Sequence, residues 1–181
     1  MKIIFLCSRY DGQFSFYFYR NFIQLLFSMI TPVLITLFEK DLTKLTEEIN
    51  LYPDDSSLWT VKDGIKNPGG NLCLHLTGNL QHFIGAILGD TGYIRNREAE
   101  FNLKNISKLK LLNEIENTKL AVKEGLELTS KNVLQKPYPL PINGETVTTE
   151  YFLLYLLGHL NYHIGQINYH RRLCVEAPAA Q

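Results

Sequence analysis

The chain has 181 residues, 45% of them hydrophobic and 20% charged, a composition that supports one folded domain with a substantial core and excludes intrinsic disorder. Eighteen basic residues balance eighteen acidic ones, which leaves no net field to hold nucleic acid or an anionic bilayer. Three scattered cysteines, Cys7, Cys73 and Cys174, form no C-x-x-C pair and read as free thiols in a reducing compartment, hence in the cytoplasm.

Residues 1–28 read as an extension outside the core, rich in aromatics such as Phe14, Phe16, Tyr17, Phe18 and Tyr19. Met29, two residues before the first helix signal, offers an alternative start. A signal peptide is disfavoured, because the apolar run Ile3 to Cys7 is broken at once by Ser8, Arg9, Tyr10 and Asp11. The stretch from Asn21 to Phe38 is the candidate membrane span, but Asn21, Gln24, Ser28, Thr31, Pro32 and Thr36 make it too polar to cross a bilayer.

Thr31 and Pro32 supply a cap and a first helical position. Leu34, Phe38, Leu42, Leu45 and Ile49 then recur at helical spacing, which predicts helix one from about residue 32. A loop follows over residues 51–66, in which Trp59 is expected to plug one end of the core. Asn67 and Pro68 repeat the signal and open helix two, which runs to about Leu88 before Gly89 and Asp90. Residues 90–105 are polar and too long for a tight helix connection, so they read as a crossover. Ser107 caps helix three, with Leu111, Ile115, Thr118, Val122 and Leu126 on one face and an end near Lys131. Pro137, Pro139 and Pro141 exclude helix and leave room only for short strands. Helix four runs from Thr148 or Thr149 to about Leu173. The expected fold is therefore all-α, a four-helix bundle with a long crossover connection, spanning residues 29–176 with a flexible tail at 177–181.

Phe152, Leu156, His159, His163, Gln166 and His170 recur at steps of three and four on helix four, the seam a bundle helix turns toward its core. His159 and His163, one turn apart at about 6 Å along the axis, can grip one divalent ion. A third ligand is available from helix two, where His75 lies among apolar residues. The plainer alternative is a set of core histidines hydrogen-bonded to carbonyls. Asn79 and Gln166 stand one turn from candidate ligands, where either could orient a bound group or form a buried polar pair. His82 and His170 read as interfacial or rim residues. Arg95 and Arg97 could clamp a substrate carboxylate or pair locally with Glu98 and Glu100. A second apolar row on helix four, Leu153, Leu157, Leu160, Ile164 and Ile167, suggests either a central helix or one covered by a partner, and favours a homodimer.

Three runs, His75-Leu76-Thr77-Gly78-Asn79-Leu80, Arg95-Asn96-Arg97-Glu98-Ala99-Glu100-Phe101, and the run from His159 to Ile167, resemble the DinB/YfiT-like superfamily over residues 30–173. The resemblance implies a four-helix bundle with a crossover, often homodimeric. It also implies one zinc, nickel or iron ion held by a histidine from helix two and two from helix four, here His75, His159 and His163. Known activities in that superfamily include thiol-dependent S-transfer. The expected function is transfer of a low-molecular-weight thiol to a small electrophile. Hydrolysis of a small molecule, or a non-catalytic bundle with a structural metal, are the alternatives. A zinc protease is disfavoured because Leu160, Asn161 and Tyr162 stand where H-E-x-x-H would carry its general base.

Overall fold

The computed structural model describes residues 30–62, 64–142 and 144–174. The extension expected at 1–28 and the tail expected at 177–181 lie outside the described residues. From Thr31 on, the helices gather into one compact unit. Helix α1 (Ile30–Asn50) buries Leu34, Phe38, Leu42, Leu45 and Ile49, the five positions of its apolar stripe. Each such burial stabilises the fold by about 1.5–3 kcal/mol. The opposite edge of this stripe binds α6 through polar pairs: Asn168 Nδ2 donates to Glu48 Oε1 at 2.8 Å and Arg171 Nε to Glu48 Oε2 at 3.1 Å.

The following loop contains a short 3₁₀ turn (Ser57–Trp59). Trp59 is buried and its Nε1–H donates to the Ile106 carbonyl at 3.1 Å, so it closes an end of the core as the sequence suggests. Helix α2 (Gly69–Leu80) is buried at 11 of its residues, and it packs against both α4 (Lys108–Glu127) and α6 (Thr149–Cys174). It is the central helix of the bundle.

Beyond Leu80 the chain winds as a π-helical segment (Gln81–Ala86) before a last α-turn (Ile87–Gly89), with Asp90 in the left-handed region at φ 51°. An uninterrupted helix to Leu88 was the expectation, and the wider turn is a correction to it. A close backbone approach accompanies it. A side chain at Gly125 on α4 would meet the Ile84 carbonyl oxygen at 2.5 Å, so the missing side chain lets α4 press directly on the widened turn.

The crossover is not structureless. It contains α3 (Arg97–Asn102), whose N-cap Asn96 accepts a hydrogen bond from the Ala99 amide at 3.0 Å, and α3 packs on α2. Helix α4, capped by Ser107, ends at Glu127 rather than near Lys131. A separate short helix α5 (Lys131–Leu134) follows. The proline segment makes two isolated antiparallel bridges, Pro137 with Thr148 and Ile142 with Glu145, and no longer strand among the described residues.

On α6 the structure corrects the expected inward seam. The core face consists of Phe152, Leu153, Leu156, Leu160, Ile164 and Ile167, whereas His159 and His163 are half-buried and Gln166 is exposed. Four of the five residues in the row that suggested a partner are thus covered by the chain's own core. No helix among the described residues is long and apolar enough to cross a membrane.

Candidate metal centre

His75, in the middle of α2, is buried with 7% of its surface exposed, and faces His159 and His163 across the groove between α2 and α6. The Nε2 atoms of His75 and His159 lie 3.2 Å apart, and those of His163 and His159 lie 3.1 Å apart. All three ligand atoms fall within 4.8 Å of one another. Nitrogens at 2.0–2.1 Å from a tetrahedral ion would be separated by about 3.3 Å, close to the His75–His159 and His159–His163 spacings.

The outer ring atoms decide the tautomers. Glu100 Oε2 lies 2.9 Å from His75 Nδ1. Burial pushes the Glu100 carboxyl up, but hydrogen bonds from Arg95 and His75 outweigh it and hold the group below its ordinary value. An ionised carboxylate only accepts, so His75 Nδ1 carries a proton, and in the neutral ring Nε2 presents the bare lone pair. On the other side, His163 Nδ1 lies 2.6 Å from Gln166 Oε1, while Gln166 Nε2 donates to Tyr162 Oη at 3.1 Å. His163 therefore presents its Nε2 lone pair as well.

His159 completes the set and has no second partner: its Nδ1 is buried without a hydrogen bond among the described residues. Burial, then the charges of His163, His75 and Arg95, push it down to about 4. Burial also lowers His163, against the opposing hydrogen bond from Gln166. Both rings are neutral at pH 7, the state a metal ligand needs. One proton on His159 Nε2 can satisfy at most part of this cluster, whereas one cation satisfies all three lone pairs. The residues present fit a divalent ion.

Glu100 belongs to this centre as the residue that fixes the His75 ring, a role the sequence reading did not assign. Arg95 grips both its oxygens, Nε to Oε1 at 2.6 Å and Nη2 to Oε2 at 2.8 Å. Arg95 is therefore locally paired. Gly78 makes room for the carboxylate, since a Cβ there would sit 2.5 Å from Glu100 Oε1. The available signals were the acid's place in the run from Arg95 to Phe101 and the lack of a side chain at Gly78, one turn after His75.

Asn79 is buried on the same helix and lines the pocket next to the histidines. Its Oδ1 has no hydrogen-bond partner among the described residues, the histidines included. His82 is half-buried with its Nδ1 likewise unpaired, and it joins no ligand cluster. His170 is fully inside: Tyr52 Oη donates to its Nδ1 at 2.7 Å and its Nε2–H donates to the Thr60 carbonyl at 2.9 Å. The expected rim residue is thus a buried link between α6 and the loop after α1.

Comparison with known proteins gives the fold and the family. A crystal structure of a DinB-like protein from Bacillus cereus superposes with a TM-score of 0.61 at 15% identity, covering 82% of this chain and 95% of that one. At that identity the likeness speaks for the fold. No curated protein matches the chain. The family profile described as "Protein of unknown function (DUF1572)" matches residues 32–177, which takes in the bundle helices and the three histidines, and the chain accordingly belongs to this family and has a DinB-like fold.

Proposed function

We propose that the chain is a metal-dependent enzyme that transfers a low-molecular-weight thiol to a small electrophile, with His75, His159 and His163 holding one zinc, nickel or iron ion. The observation that carries this reading is the convergence of three Nε2 lone pairs beside a cavity of about 290 Å³ whose described lining contains no Asp or Glu. A divalent ion bound by three neutral imidazoles keeps its full charge and ionises a thiol or lowers the pKa of water to about 7. In the overall reaction the sulfur forms a bond to the electrophilic carbon, the bond to the leaving group breaks, and the thiol proton passes to solvent.

The chain's own part is positional. Glu100 and Gln166 fix the rings of His75 and His163, and Phe83, Phe152, Tyr155 and Leu156 supply apolar and aromatic wall to the cavity. A hydrolase that relies on a carboxylate base to activate water finds none in the described lining, and Glu100, behind His75, is engaged by His75 and Arg95. That favours a nucleophile needing no such base. Titrating bacillithiol, glutathione and cysteine into cobalt-substituted protein tests the proposal. A sulfur-to-metal charge-transfer band with any of the three supports it; no band from any of them, with hydroxide or carboxylate ligands still binding, replaces it with the hydrolase reading.

A further inference from the structure

The cavity beside the histidines has two demands that the protein itself does not meet. Asn79 is 93% buried, lines the cavity, and leaves Oδ1 without a hydrogen bond among the described residues. Such an atom needs an N–H or O–H donor from whatever fills the space. Arg97 lines the same cavity from α3 and is exposed there. Its guanidinium lies over the Phe101 ring at 5.5 Å from the centroid. Stacking through the face leaves the edge N–H donors free.

The contrast with Arg95 is informative. Both arginines line the cavity, but Arg95 gives its donors to Glu100, whereas Arg97 has no acidic partner among the described residues. No acid in the described lining competes for Arg97. The same lining includes the apolar Phe83, Ile142, Phe152 and Leu156. It therefore asks for a ligand with an anion at one point, a hydrogen-bond donor at another and apolar atoms beside them.

Resting on the function proposed above, we propose that this cavity takes a small carboxylate-bearing ligand, its carboxylate held by Arg97 and its donor group received by Asn79 Oδ1. Arg95 is a positioning residue for Glu100 and contacts no ligand. A planar guanidinium edge matches a carboxylate better than a lysine ammonium does, which makes Arg97→Lys a partial and Arg97→Gln a full loss of recognition.

The test uses cobalt-loaded full-length protein and two ligand pairs that differ in a carboxylate: 3-mercaptopropionate with its methyl ester, and N-hydroxysuccinamate with acetohydroxamate. Dissociation constants are read from the cobalt spectrum. The expected result is that the carboxylate member of a pair binds about tenfold more tightly to wild type. That advantage should shrink in Arg97→Lys and vanish in Arg97→Gln, with cobalt content and melting temperature unchanged. Asn79→Leu should weaken both hydroxamates, which carry their donors next to the metal-directed oxygens; unchanged affinity removes Asn79 from the assignment. Equal affinities within both pairs in wild type, or an advantage that survives Arg97→Gln, overturn the inference and leave the thiol reading standing. Silent mercaptopropionates with discriminated hydroxamates support the inference, and the thiol reading then falls if bacillithiol, glutathione and cysteine are silent as well. Wild-type protein that holds no cobalt overturns both.

Discussion

Glu100 Oε2 accepts a hydrogen bond from His75 Nδ1 at 2.9 Å, joining α3 of the crossover to the middle of α2 across 25 residues of sequence. Both side chains are more than nine-tenths buried. The carboxylate fixes the ring and its tautomer and raises the basicity of Nε2. Losing such a partner typically weakens metal binding about 10–100-fold. Glu100→Gln keeps an oxygen acceptor and is expected near the lower figure, Glu100→Ala near the upper. Competition against a chelator of known affinity measures both; wild-type affinity in Glu100→Ala would remove the acid from the metal centre.

Two helical glycines should respond oppositely to alanine. At Gly78 the new methyl would lie 2.5 Å from Glu100 Oε1, so the carboxylate that bonds His75 through Oε2 must shift. Gly78→Ala is therefore expected to lower metal affinity and melting temperature together. At Gly165 nothing lies within 4 Å of the added carbon. Gly165→Ala should raise stability by about 0.5–1 kcal/mol, the helix-propensity gain alone. Urea unfolding of the two variants beside wild type decides it, and loss of stability in Gly165→Ala would show that this face is covered.

The sequence carried the bundle because its signals were local: cap and proline pairs at Thr31-Pro32 and Asn67-Pro68, and stripes such as Leu111 to Leu126 on α4. The three histidines were legible from spacing on α6 and from an apolar setting on α2. The orientation of α6 was not, since two adjacent stripes are both plausible core faces. What decides between them is the packing of Leu153, Leu160, Ile164 and Ile167 against other helices. The same limit hid Glu100, a charged residue in a polar segment whose burial depends on α3 docking against Gly78. The π-helical turn lies where Gly125 approaches Ile84 closely, again a matter of tertiary packing.

His163→Ala separates the metal from the fold. The ring is half-buried at the margin of the bundle, and its removal relieves a 3.1 Å nitrogen pair with His159. Metal content measured by elemental analysis should fall from about one ion per chain to near zero, because two imidazoles make a weak site. The metal-free melting temperature should stay within a few degrees of metal-free wild type. Leu160→Ala, at a fully buried position one helical turn before Ile164, should do the reverse at a cost of about 2–5 kcal/mol. A His163→Ala protein that keeps a stoichiometric ion would exclude His163 as a ligand.

His170 predicts how stability responds to acid. Burial is the largest influence on it and lowers its pKa, the Thr60 carbonyl opposes that, and the Lys62 charge adds to the lowering. Its Nδ1 accepts from Tyr52 Oη, so a proton at that nitrogen would break the 2.7 Å bond. The unfolded chain titrates near 6.5. Since the folded value lies lower, the unfolded chain takes up a proton that the folded chain refuses between the two. The stability tied to neutral His170 is thus complete above about pH 6.5 and is lost as pH falls from there through the folded value. One group contributes a slope of at most about 1.4 kcal/mol per pH unit. Burial also lowers His82, His159 and His163, and these add in the same direction when no metal is present. Urea unfolding of metal-free protein at pH 7.5, 6.5 and 5.5 should show falling stability. His170→Gln should start lower at pH 7.5, having lost the paired bonds to Tyr52 and Thr60, and then decline less steeply. Parallel declines in variant and wild type would mean that His170 takes up its proton as readily in the folded chain as in the unfolded one.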